Sequence, residues 1–347
     1  MSAAAAERDE TGSVVEEVVD RGRLVRLRRH SRRVSARDGA PLVVIDKEPL
    51  EGATGLPCLL VHGLRGTRAS FDLSTRALSS FLVEAGHRVY VAELRGSGRS
   101  REAGSPPARG IRDLLELDLP ALVDLAGEDG PDGIALVGHS LGALLSCLAA
   151  ARAPEQVSSV VALAPPHSPG RGQGIVKLAS RAWVALGESP RGRAVVESSS
   201  MNQVLVTGRR VLDRWPLPLP RSRTVWPGSM EPAAQAELEA AQGREPAFPG
   251  LLTDLARMTA GLEPTGLEVD RELSRLRAPV LALVGDRDEI APPEAALTLQ
   301  DVVGKAPCEV RVVGDDGGHV GHADLVLGRR APELVWEPAL AWIERRG

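Results

Sequence analysis

The pentapeptide Gly138-His139-Ser140-Leu141-Gly142 constrains this chain more than any other feature, because of what flanks it. Ahead of it runs Gly133-Ile134-Ala135-Leu136-Val137, a short apolar segment that reads as a buried strand. After it runs Ala143-Leu144-Leu145-Ser146-Cys147-Leu148-Ala149-Ala150, a good helix former. A strand that turns at once into a helix must hold its turn residue at strained backbone angles. It also needs glycines on either side, so that the two elements can approach without Cβ clashes. That geometry exposes the Ser140 Oγ and leaves the N–H of Leu141 at a helix N-terminus, where it can meet a developing negative charge. Ser140 is therefore the candidate nucleophile.

The same rhythm runs through the chain. Cys58–Val61, Arg88–Ala92, Ser159–Leu163, Val280–Val284 and Val310–Val313 read as buried strands. Phe71–Ala85 and Asp118–Ala126 read as helices between them, the second with Asp118 as N-cap and Pro120 in its first turn. Pro332–Arg345 reads as a closing amphipathic helix, and residues 33–45 as a hairpin turning at Asp38-Gly39. Short apolar runs alternating with helices predict an α/β fold with a mostly parallel central sheet covered by helices on both faces. Residues 166–270 break the rhythm with Pro216, Pro218, Pro220, Pro227 and Pro232. In this stretch Ile175, Leu178, Ala179, Ala182, Trp183 and Leu186 recur at helical spacing. It is expected to be a helical cap inserted between two core segments, 34–165 and 271–347, with Trp183, Trp215 and Trp226 either in its core or lining an apolar pocket. Residues 1–33 are expected to be a polar and basic extension. The arginines of 21–33, interleaved with Leu24, Val25 and Leu27, read best as an edge strand or helix with a solvated face.

A chain of 347 residues that is 43% hydrophobic can bury a large core and carry such an insertion. Its net charge of −4 gives no general attraction to nucleic acid. Cys58, Cys147 and Cys308 have no paired spacing and sit in or beside apolar runs, so buried free thiols in a reducing compartment are expected. Met1–Ala6 leads into Glu7-Arg8-Asp9-Glu10 with no apolar leader, and no apolar run is long enough to span a bilayer. The expectation is a cytoplasmic protein without stable membrane insertion.

A serine hydroxyl needs a base, and the base needs a third group to fix its tautomer. In a sheet with a nucleophile elbow the partners follow in the order serine, acid, histidine. Gly285-Asp286-Arg287-Asp288-Glu289 follows the strand 280–284 and supplies the acid. Asp288 is preferred because Asp286 still sits at the strand end. Beyond it lie His319 and His322. His319 is preferred because Gly317 and Gly318 would let a loop enter a crowded site. The candidate catalytic set is thus Ser140, Asp288 and His319.

These motifs identify the chain as resembling the α/β-hydrolase superfamily over residues 34–345. Val61-His62-Gly63-Leu64 resembles the His-Gly loop after the third strand, which implies the N–H of Leu64 as a second oxyanion donor beside Leu141. Leu94-Arg95-Gly96-Ser97-Gly98-Arg99-Ser100 resembles the superfamily's R-G-x-G-x-S loop, with Ser97 where histidine is frequent and Glu93 where aspartate is usual. Gly285, Asp288 and Pro292 resemble its acid turn, which supports Asp288. Asp118-Leu119-Pro120-Ala121 and Pro249-Gly250-Leu251-Leu252 resemble polyhydroxyalkanoate synthase-like hydrolases. The synthases use cysteine at the elbow, so Ser140 favours hydrolysis over polymer synthesis. The resemblance implies a serine carboxylic-ester hydrolase acting on a small-molecule ester or acyl substrate, with no cofactor and no metal. An acyltransferase, a thioesterase or lactonase, and a non-catalytic binding protein are the alternatives on the same fold.

Overall fold

The alternating apolar runs become the strands of one sheet in the computed structural model, which describes residues 7–8, 12–170, 174–188, 224–246 and 248–345. In chain order the strands are β1 (Glu7–Arg8), β2 (Ser13–Asp20), β3 (Arg23–Ser35), β4 (Pro41–Pro49), β5 (Cys58–Val61), β6 (Val89–Glu93), β7 (Ile134–His139), β8 (Val157–Leu163), β9 (Val280–Gly285) and β10 (Cys308–Val313). They lie in the order β1-β3-β4-β6-β5-β7-β8-β9-β10, with β2 also paired to β3. From β6 to β10 every pairing is parallel, whereas β4 meets β6 antiparallel and β3 meets β4 antiparallel. The chain leaves β5 for β6 on one side and returns to β7 on the other. The crevice at the carboxyl ends of β5 and β7 is therefore the topological switch point, where open α/β sheets bind ligands.

Side-chain alternation sends Leu59, Val61, Leu136 and Val160 to one face and Cys58, Leu60, Val137 and Val161 to the other. The first face is covered by the helices α2 (Leu119–Gly127) and α3 (Leu141–Arg152). The second is covered by α1 (Leu78–Glu84) and by α7 (Glu337–Glu344), with Trp336 fully buried between them. Burial of both faces explains why these strands read as unbroken apolar runs. Cys58 and Cys147 are buried free thiols and Cys308 is half-buried.

Three expectations are corrected. Residue 34 is not a boundary: β3 runs from 23 to 35 and continues the sheet, with Val19 and Leu27 fully buried. Three of its arginines pair with neighbours, Arg29 with Glu17, Arg28 with Glu48 and buried Arg32 with Asp46. The helix expected from Phe71 begins only at Leu78. Residues 71–77 form turns because Asp72 is held by Lys47 and Arg76 reaches Asp20, Glu231 and the carbonyl of Leu327. Asp118 is not a side-chain cap. Its carboxylate takes the backbone N–H and the Nε of Arg95 at 2.9 and 2.7 Å, while Arg95 also grips Asp38.

Between β8 and β9 the described residues hold three helices of more than one or two turns: α4 (Gly174–Glu188), α5 (Pro232–Gly243) and α6 (Pro249–Ala260). In α4 the expected apolar face does not point inward. Leu178 is 69% exposed and Ala179 and Ala182 are exposed, while Val184 is buried and Trp183 half-buried. The side chains of Ile175 and Leu186, and Trp215, Pro216, Pro218 and Pro220, lie outside the described residues. No helix among the described residues is long and apolar enough to cross a membrane.

Candidate active site

Ser140 sits where β7 ends and α3 begins, with φ 56° and ψ −126°. A residue with a Cβ occupies that region only when its surroundings impose it. Here the Ser140 N–H is tied to the carbonyl of Leu163 at 2.8 Å, and the flanking glycines let the turn close. A Cβ on Gly138 would lie 2.2 Å from the carbonyl oxygen of Gly142, and one on Gly142 would lie 2.0 Å from that of Val61. Leu141 opens α3, so its N–H has no acceptor within the helix.

The loop after β5 comes directly against this turn. A Cβ on Gly63 would fall 2.7 Å from the Ser140 Cβ and 3.3 Å from its Oγ. His62 fixes that loop. Its Nε2 accepts the Leu94 N–H at 3.1 Å, which places the ring proton on Nδ1, 2.9 Å from the Gly63 carbonyl. Burial lowers the His62 pKa and keeps the ring neutral. Leu64, half-buried, follows at the loop's tip. Glu93, which departs from the usual aspartate, accepts the N–H groups of Arg68 and Arg99, and Ser100 bonds the Glu93 carbonyl and the Val43 N–H. The R-G-x-G-x-S loop is thus a brace behind the site.

The acid and base expectations divide differently. Asp288 is buried, and its Oδ1 accepts the N–H groups of Ile290 and Ala291, both at 2.8 Å. Its Oδ2 lies 2.7 Å from Nδ1 of His322, not of His319. His319 pairs instead with Asp286, Nδ1 to Oδ2 at 2.5 Å, and meets the Trp226 ring edge-on at 5.2 Å. The cause is a short backbone zipper. The Val320 N–H donates to Asp286 Oδ1 and the Arg287 N–H to the Val320 carbonyl, which sets Asp286 opposite 319 and Asp288 opposite 322. The predicted pair Asp288–His319 is therefore not formed.

Only the inner pair docks on the elbow. The ring of His139, the residue before Ser140, lies 4.7 Å from the His322 ring, and its Nε2–H donates to the His322 carbonyl at 3.0 Å. Burial and the neighbouring His322 ring hold the His139 pKa down to about 3, so it serves as a neutral donor. Asp324 holds the turn before His322, its Oδ2 accepting the N–H groups of Gly321 and Trp226 at 2.7 and 2.8 Å. Sequence reasoning missed His139 and Asp324, and it ranked His322 below His319. One signal was present: His322 leads straight into Leu325-Val326-Leu327, an apolar anchor, whereas His319 follows the polar turn Asp315-Asp316-Gly317-Gly318.

A nucleophile elbow, a second donor loop and an acid–histidine pair at the carboxyl ends of one sheet define a class. The chain belongs to the alpha/beta hydrolase fold family, whose match covers residues 57–324. It is 37% identical over 117 residues to a triacylglycerol lipase of Pseudarthrobacter phenanthrenivorans, covering 33% of this chain and 34% of that protein. It is equally similar over 117 residues to a triacylglycerol lipase of Burkholderia plantarii, covering 33% of this chain and 30% of the relative. The chain thus spans about a third of the length of these lipases. An esterase of Exiguobacterium antarcticum shares the fold, with TM-score 0.61 and 15% identity over 90% of this chain and 98% of that one.

Proposed function

We propose that this chain is a serine carboxylic-ester hydrolase whose triad is Ser140, His322 and Asp288. His322, with its Nδ1 proton held by Asp288, has Nε2 left to take the proton of Ser140 as Oγ attacks the ester carbonyl. The negative charge that forms on the carbonyl oxygen is received by the N–H groups of Leu64 and Leu141, each lowering the barrier by about 3 kcal/mol. His322 then protonates the leaving alkoxide, and water, deprotonated by the same histidine, hydrolyses the acyl-enzyme. Asp288 stays ionised throughout and stabilises the imidazolium.

The observation that carries this reading is Ser140 at φ 56° with Gly63 packed against it, since neither arrangement has a use in packing alone. The lipase relatives support acyl esters as the substrate class. His319, the sequence-based choice, is replaced in this proposal by His322 because of the hydrogen bond that Asp288 makes. A panel of nitrophenyl esters graded from acetate to palmitate, run beside emulsified triacylglycerol, tests the function. Hydrolysis lost in Ser140→Ala supports it. Equal turnover by that variant would overturn it, and acyl transfer to an added alcohol at the expense of free acid would favour the acyltransferase alternative.

A further inference from the structure

We infer that Arg65 is a positioning residue that sets the Leu64 oxyanion donor by anchoring its loop to the inserted segment between β8 and β9; this rests on the hydrolase reading above. Arg65 follows Leu64 directly and has φ 55°, a left-handed conformation that a residue with a Cβ adopts only under external restraint. The backbone turn from Gly63 to Gly66, closed by the Gly66 N–H on the Gly63 carbonyl at 3.0 Å, does not supply that restraint for the side chain. The guanidinium does. Its Nη2 donates to the Gln242 carbonyl at 2.8 Å and its Nε to the Glu245 carbonyl at 3.2 Å.

Those two carbonyls lie at the C-terminal end of α5, where the negative end of the helix dipole favours a cation. Planar, two-point donation holds direction as well as distance, which an ammonium cannot do. The acceptor segment is itself pinned. Buried Glu245 accepts the Gly98 N–H at 3.0 Å and an Arg101 Nη2 contact at 3.2 Å, while Arg101 Nη1 reaches the Arg244 carbonyl at 3.2 Å. In the middle of α5, Glu237 accepts the Ser74 N–H and hydroxyl, and at its N-terminal end Glu231, the N-cap, meets Arg76. Helix α5 is thus bolted to the core at both ends, and Arg65 transmits that fixed frame to the loop that touches Ser140. A donor aimed at a charge present only in the transition state acts on kcat and leaves KM alone.

The test compares Arg65→Gly, Arg65→Lys and wild type on one soluble nitrophenyl ester, with kcat expressed per site titrated by a fluorophosphonate and Tm measured alongside. Glycine accepts the left-handed φ, so this variant keeps the backbone conformation and loses only the tether. The expected result is a kcat per titrated site lower by on the order of 10- to 100-fold in Arg65→Gly, with KM unchanged, partial recovery in Arg65→Lys and recovery on adding guanidinium ion. A purely structural role would lower Tm and the number of titrated sites but leave kcat per site at the wild-type value, and that result would overturn the proposal. Wild-type kcat in Arg65→Gly with an inactive Ser140→Ala would remove the tether and leave the triad standing. Hydrolysis by Ser140→Ala would remove both.

Discussion

Exchanging Asp288 and Asp286 in turn for asparagine separates the two acid–histidine pairs. Asp288 Oδ1 accepts two backbone N–H groups at 2.8 Å, so an asparagine there must put its carbonyl oxygen in that place. Turning the amide over would leave both buried N–H groups facing a donor. At about 1–3 kcal/mol for each, the flipped form would be a few per cent of molecules at most. The NH2 group therefore faces His322 Nδ1, 2.7 Å away in the parent pair, and a bond to it requires the ring proton to move to Nε2. The base then has no lone pair to offer Ser140, and the charge that stabilised the imidazolium is gone. Tautomer reversal of this kind costs on the order of 10⁴ in kcat, or about 5.5 kcal/mol of barrier. Asp286→Asn reverses His319 by the same logic but touches no reacting atom, so kcat should stay within about threefold of wild type. The assay is ester hydrolysis with thermal unfolding of each variant as a folding control. Asp288→Asn retaining a tenth of the wild-type kcat, or Asp286→Asn being the slower of the two, would refute this assignment.

His139 and His62 are buried neutral, His139 with its pKa lowered to about 3, against an ordinary value near 6.5. Below pH ~6.5 the unfolded chain binds protons that the folded chain refuses, so His139 costs stability as the pH falls toward 3, by up to about 1.4 kcal/mol per pH unit, and His62 acts in the same direction. His139→Gln keeps the donor and removes one titration, so urea unfolding should show it losing about 2 kcal/mol less than wild type between pH 6.5 and 5; equal losses would contradict this. Gly142→Ala puts a methyl 2.0 Å from the Val61 carbonyl oxygen, whereas Gly127→Ala meets only Gln156 Nε2 at 3.7 Å. The first should destabilise by about 3 kcal/mol or more and the second by little, read by chemical denaturation. Lys47 is buried with its Nζ 2.7 Å from Asp72 and 2.6 Å from Glu17, so Lys47→Met leaves uncompensated carboxylates and should cost about 3–5 kcal/mol. A loss under about 1 kcal/mol would mean that the carboxylates take up protons or water instead.

Burial on both faces made the central sheet legible. Cys58–Val61 and the strands at 157–163 and 280–285 hold no polar residue to interrupt their apolar runs, apart from half-buried Ser158 and buried Ser159. The elbow was legible because its glycines answer to backbone contacts within the same motif. What escaped was non-local. Arg76 and Lys47 look like surface residues in sequence, and only partners on β2, α5 and the turn at 72 make them interior. The same holds for Asp118, whose partner Arg95 lies 23 residues earlier and outweighs its capping tendency. The choice between His319 and His322 depended on the register in which the loop after β10 meets the loop after β9. That register is set by hydrogen bonds of Val320 with Asp286 and Arg287, which leave no trace in spacing or composition.

The most direct test is the rate at which a fluorophosphonate labels the protein, with the adduct mapped to its peptide by mass spectrometry. One adduct on Ser140 is expected, absent from Ser140→Ala, formed at least about a hundredfold more slowly in His322→Ala, and formed at the wild-type rate in His319→Ala. An adduct elsewhere, or labelling that depends on His319 and not on His322, would contradict the assignment of Ser140, His322 and Asp288 as the working triad.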